Sequence, residues 1–228
     1  MAFSGFDADF RRFLRDLAGN NDREWFQASK ARFQESVQEP MHAFIEAIEP
    51  RLKAISPHLT AVAKKVGGSM KRLNRDVRFS KDKSPYATEV GVRFLHEDGS
   101  KAPVGCYLSV GADQVVLGTG YWQPEPPALA RIRDAIVADP KRWQRARSDT
   151  AFRKTWGDLA GESLKRPPRG YDADHPCVED LKRKDFVAFR TMPAKAIEER
   201  AFLGEAAKSY AASKPLLAFL CEALGMRF

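Results

Sequence analysis

The hydrophobic period of this chain changes twice along its length. From Phe6 to Leu52 apolar residues recur at helical spacing, from about residue 61 to Trp122 they alternate, and beyond Pro127 helical spacing returns. Period 2 lines one face of a strand, whereas period 3.6 gathers residues along one side of a helix. A chain with that order predicts an α+β domain. Its expected form is a central, mostly antiparallel sheet of about five strands, packed with N-terminal and C-terminal helices. No repeat, low-complexity run or long linker interrupts the 228 residues, so the expectation is a single domain over residues 1–228.

Phe6, Phe10, Phe13, Leu14 and Leu17 predict a first amphipathic helix ending at Gly19. Asn21 with Glu24 three residues later predicts a capping box for a second. Phe26, Phe33, Val37, Met41, Phe44, Ile45, Ile48 and Leu52 continue its stripe, with Pro40 predicting a kink or two abutting helices. Alternating runs predict strands at 72–79, 90–94, 104–110 and 115–122, separated by Ser84-Pro85, Asp98-Gly99 and Gly111-Ala112-Asp113. Leu129 to Val137 predicts a helix, and Trp143 to Leu159 reads as irregular. Asp174 with Pro176 predicts a short helix start, Phe186 to Arg190 one more strand, and Glu198 to Leu224 a helical tail broken at Pro215.

Charge enters with the stretch RLNRDVRFSKDKSPY, residues 72–86. As a strand it would place Arg72, Asn74, Asp76 and Arg78 on one face and Leu73, Val77 and Phe79 on the core face. Guanidinium forks bind carboxylate or phosphate oxygens bidentately. Arg72, Arg75, Arg78, Lys81 and Lys83 are therefore candidate anion contacts, with Tyr86 at the edge after the Pro85 turn. Asp76 is a candidate orienting group for an arginine, acid–base group or metal ligand. An Arg/Asp-rich face can equally be a solvated surface of small energetic weight. A second basic group, Lys165 and Arg166 with Arg169 and Tyr171, lies on a loop stiffened by Pro167 and Pro168. A third, Lys182-Arg183-Lys184, reads as a solvated helix end.

The order of NNDREWF (20–26), RDVRFSKDKSPY (75–86), GTGYWQP (118–124), LKRPPRGY (164–171) and LKRKDF (181–186) resembles the DUF2461 family over nearly the whole chain. The family has no established activity, substrate or cofactor, so the resemblance brings over no catalytic residue. It implies that the basic stretches belong to the signature of the fold along with the core.

The net charge of +8, from 38 basic and 30 acidic residues, suits an anionic partner. Cys106, Cys177 and Cys221 are widely spaced and odd in number, which points to a reducing, cytoplasmic setting over a disulfide framework. No apolar run is long enough to span a bilayer. The sequence holds no CxxC pair, HExxH, Walker A or GxSxG motif, so no metal or cofactor is called. Gly118-Thr119-Gly120 reads as a bulge or tight packing beneath Trp122, more than as a phosphate loop.

Three readings stay open at this level, and whether the protein is an enzyme stays open with them. The leading one is a basic pocket for a small phosphorylated or carboxylated ligand, reached from both the 72–86 and 165–171 segments. The second is a nucleic-acid-binding protein with Tyr86, Trp122 and Tyr171 stacking bases, or a metal-dependent nuclease using Asp76, Asp82 and Glu89. The third is a non-enzymatic interaction module.

Overall fold

The computed structural model describes residues 3–99 and 103–228. Four N-terminal helices lead in: α1 (Ala8–Gly19), α2 (Arg23–Ala28), α3 (Lys30–Phe33) and α4 (Glu39–Ile55), with a π-helical turn at Gln34–Gln38 joining the last two. The sheet follows as β1 (Val90–Leu95), β2 (Gly105–Val110) and β3 (Gln114–Tyr121). Then come α5 (Pro126–Ala138), α6 (Pro140–Ser148), α7 (Thr150–Trp156) and α8 (Val178–Leu181), and the last strand, β4 (Phe186–Pro193). A 3₁₀ turn and the helices α9 (Phe202–Ala212) and α10 (Lys214–Ala223) complete the fold.

The four strands form one antiparallel sheet in the order β1-β2-β3-β4. The α+β class is as expected, with four strands among the described residues in place of about five. α9 and α10 pack on β3, α7 packs on β4, and α4 packs on α9. Val92, Phe94, Cys106, Leu108, Leu117 and Ala188 form the core face beneath them, all buried. α1 contributes Phe10, Phe13, Leu14 and Leu17 to the same core, because its apolar positions fall on one side of the helix.

Several expectations are corrected. Residues 72–79 are not a strand; the segment carries an isolated bridge at Asn74↔Tyr86, and another, Met70↔Val92, lies just before it. The alternation there was real as far as Leu73, which is buried, but Phe79 is 95% exposed instead of facing the core. An edge segment replaces the missing strand: Lys71 N–H donates to Gly91 O (2.8 Å) and Arg93 N–H to Ser69 O (2.9 Å). The residues from Trp143 to Trp156 form α6 and α7, capped by Asp139 and Asp149, where an irregular stretch was expected. Asp22, not Asn21, caps α2 by accepting from Trp25 N–H. The short helix placed near Asp174 starts at Val178.

Pro40 lies in the first turn of α4, directly after the π-helical turn. Proline has no N–H to donate and its ring crowds the preceding turn. The widened turn at Gln34–Gln38 sits where that crowding falls, so the helical path continues through it.

Candidate functional site

Residues 73–87 form an irregular hairpin. Its arms are joined by Arg75 N–H to Pro85 O (2.9 Å) and Ala87 N–H to Leu73 O (2.7 Å). Most of its charge is satisfied within itself. Arg78 Nη2 and Nε donate to Asp76 at 2.6 and 2.9 Å, both side chains being exposed. Arg75 Nη1 donates to Asp82 Oδ2 (2.5 Å) and to Ser84 O (3.0 Å). Lys83 Nζ donates to Val77 O (3.0 Å). Ser84 and Arg75 hold the Asp82 carboxyl down at about 2. The hydrogen bonds from Arg78 hold the Asp76 carboxyl below its ordinary value. A carboxylate made less basic in this way is poorly suited to accept a proton near neutral pH.

Tyr86 is a core residue. It is buried, stacks on Phe26 at 4.1 Å between ring centroids, and is clamped by the Asn21 carboxamide at its backbone. The stretch 20–26 and the stretch 75–86 are thus one structural unit. Lys81 is exposed at the hairpin tip next to Phe79.

The other basic groups go elsewhere. Tyr171 donates its hydroxyl to Asp134 Oδ1 on α5 (2.8 Å), and Lys165 and Arg166 are exposed on the loop before it. Lys182, Arg183 and Lys184 pair with Glu179, Asp180 and Glu162 respectively. Among the described residues no group of three or more His, Cys, Asp or Glu is arranged to hold a metal ion. Asp76 and Asp82 spend their carboxylates on arginines.

A different set of cations converges. A cavity of about 250 Å³ lies between the N-terminal helices and the segment 64–74. It is lined by Lys30, Lys64, Lys65, Lys71 and Arg72, with no acidic residue among its lining. None of these five side chains makes an ion pair or hydrogen bond among the described residues. Arg72 is the one member of the sequence candidates that lines it; the 165–171 loop contributes nothing. The helical wall presents Lys30, Gln34, Gln38 and His42. Residues four apart share a face, but an unbroken α-helix drifts by roughly 40° at each four-residue step. The wider π-turn falls in the middle of this series and offsets part of the drift, so all four reach one cavity. Single π-turns of this kind concentrate at functional sites. The His42 Nε2 is shut off from solvent and has no hydrogen-bond partner among the described residues.

The reading of the sequence missed Lys30, Gln34, Gln38, His42, Lys64, Lys65 and Lys71. Part of the signal was present: a polar residue at every fourth position from 30 to 42, along the flank of the apolar stripe.

The family description "Conserved hypothetical protein (DUF2461)" matches residues 9–219 of the 228. The chain belongs to the DUF2461 family. No curated protein and no solved structure matches it. The match to DUF2461 takes in both walls of the basic cavity and every strand of the sheet. No helix among the described residues is long and apolar enough to cross a membrane.

Proposed function

We propose that this DUF2461 protein binds a small phosphorylated or carboxylated ligand in the cavity between the π-helical turn and residues 64–74. The observation that carries the reading is the set of five cations around one concave site, without a carboxylate partner among the described residues. The hairpin arginines Arg75 and Arg78, and Arg183 before β4, by contrast each hold a carboxylate. Clustered like charges repel one another, and an anion relieves that repulsion. The volume, about 250 Å³, suits a compact ligand. Gln34, Gln38 and Asn74 offer neutral hydrogen bonds at the same walls, and the His42 imidazole offers a further partner at depth.

Isothermal calorimetry with inorganic phosphate, pyrophosphate and citrate tests this. Saturable binding at moderate salt that weakens severalfold in Lys65→Ala and Lys71→Ala, and stays unchanged in Arg78→Ala, is the expected result. Equal binding by all four proteins, or none by wild type, sinks the reading.

One observation favours a second reading, an interaction module. Phe79 stands 95% exposed on the hairpin tip with the Arg78 guanidinium 5.9 Å from its ring centre. A pull-down that depends on Phe79 and is indifferent to the cavity lysines would favour it.

A further inference from the structure

The helices cover one face of the sheet; the opposite face holds a second cavity of about 490 Å³. One lateral row crosses all four strands there: Arg93 on β1 pairs with Tyr107, Tyr107 with Gly118, and Gly118 with Phe189. The next row pairs Gly105 with Gly120, so the floor beside the aromatic rings is bare backbone. The Phe189 ring lies over Gly118, 3.1 Å from where a Cβ would be, and the Tyr107 ring extends the other way, over Gly91 on β1. Trp122 meets Phe189 edge to face at 5.5 Å and is 56% exposed.

Trp122 is held in that position by the turn after it. Gln123 has a positive φ of 47°, uncommon for a residue with a side chain. Its N–H donates to the buried Asp185 carboxylate (2.7 Å), which also accepts from Glu162 N–H (2.9 Å). The aromatic edge is therefore preorganised. The rim is cationic. The Lys71 side chain and the Tyr107 hydroxyl converge over Gly91, at 3.0 and 3.1 Å from where its Cβ would be. Lys71 and Arg93 line the cavity and neither has an ion-pair partner among the described residues. The acid that bears on Tyr107 is Glu89, which is exposed and not part of the lining.

We propose that this sheet face binds a mononucleotide, its base on the Phe189–Trp122 platform and its phosphate toward Arg93, Lys71 and the Tyr107 hydroxyl. Aromatic side chains on a sheet surface stack bases through their π-faces, and neighbouring cations take the phosphate. A bounded cavity of about 490 Å³ matches one nucleotide and not a strand of them. The site goes beyond the anion cavity and shares only Lys71 with it.

The test is calorimetry with adenosine monophosphate, ribose 5-phosphate and the oligonucleotide dT12, on wild type, Trp122→Leu, Phe189→Leu, Arg93→Gln and Lys65→Ala. Trp122 is exposed, so its variant keeps the core intact, and Phe189→Leu gives an independent check. Adenosine monophosphate is expected to bind at least tenfold more tightly than ribose 5-phosphate. Its affinity should fall about 5- to 150-fold in Trp122→Leu and in Phe189→Leu, the equivalent of 1–3 kcal/mol for one stacked base. It should fall in Arg93→Gln and hold in Lys65→Ala. Equal binding of the nucleotide and the sugar phosphate overturns the platform, as does equal binding by Trp122→Leu and wild type, or a response to dT12 alone. Loss of phosphate binding in Lys65→Ala, with these results negative, leaves the anion cavity standing without the platform.

Discussion

The carboxamide of Asn21 grips the backbone of Tyr86 from both sides, Nδ2–H donating to Tyr86 O (2.9 Å) and Oδ1 accepting from Tyr86 N–H (3.1 Å). The two residues are 65 positions apart. With the Phe26–Tyr86 stack, this pair fixes the basic hairpin to the N-terminal helices. Asn21→Ala leaves two backbone groups of a buried residue unpaired and should cost about 2 kcal/mol. Asn21→Asp sets a carboxylate against the Tyr86 carbonyl and should cost no less. Urea midpoints give the loss, and hydrogen exchange at Arg75 and Ala87 should quicken with it. A change below about 0.3 kcal/mol would show that the stack alone holds the hairpin.

The two kinds of cation should separate by mutation. Arg78→Ala removes an exposed ion pair and should leave the melting temperature at that of wild type. Lys64→Ala and Lys65→Ala relieve repulsion around the cavity and should leave the melting temperature equal to or above that of wild type. Thermal unfolding without added anion checks both. A clear destabilisation by the lysine changes would mean that they serve the fold.

Acid stability should carry the mark of Asp9. Its carboxylate accepts from Arg32 Nη2 (2.7 Å) and Nε (2.9 Å) and from Ser36 Oγ (2.8 Å), and Arg32 above all brings it down to about 2. The folded value lies below the unfolded value of about 3.9. The unfolded chain thus binds the proton first as pH falls, so the contribution is full above about pH 4 and fades between about 4 and 2. Screening at this partly exposed site reduces it to about 1 kcal/mol. Asp9→Asn should therefore be less stable than wild type at neutral pH, with the gap closing on acidification. A gap independent of pH would assign the loss to packing.

The thiols should be inert in the native protein. Burial pushes Cys106 and Cys221 up to about 12, and raises Cys177 as well. The thiolate is the reactive form. Native protein at about pH 8 should resist labelling by iodoacetamide, and urea should release all three cysteines. Rapid native labelling of any one would identify a segment that opens.

Gly120 should not tolerate a side chain. Its φ is +112°, and a Cβ would lie 2.0 Å from Phe186 O, a backbone atom that moves only with the sheet. Gly120→Ala should destabilise by more than about 3 kcal/mol, measured by denaturant unfolding. A mild effect would mean that the β3–β4 pairing shifts freely at this end.

The element types follow from local pattern. The apolar stripes at Phe10–Leu17 and Phe44–Leu52, the alternation at Val90–Phe94 and Val104–Val110, and the break before Pro215 are short-range facts of packing geometry. They were readable without a partner. Residues 72–79 read as a strand in sequence because alternation reports which side chains would share a face, not whether a neighbouring strand exists. Arg75 and Arg78 looked like ligand contacts in sequence because nothing there reveals that Asp82 and Asp76 fold back on them.

The sequence by itself determined the α+β class, the antiparallel sheet and the excess of basic charge. The tertiary structure alone decided which charges are free. Lys30 and Lys71 are 41 positions apart and have no local rule joining them; they meet because the segment before β1 packs against the π-helical turn. Charge pairing and cavity walls depend on contacts between distant segments. Periodicity, a property of neighbours in the chain, does not report them.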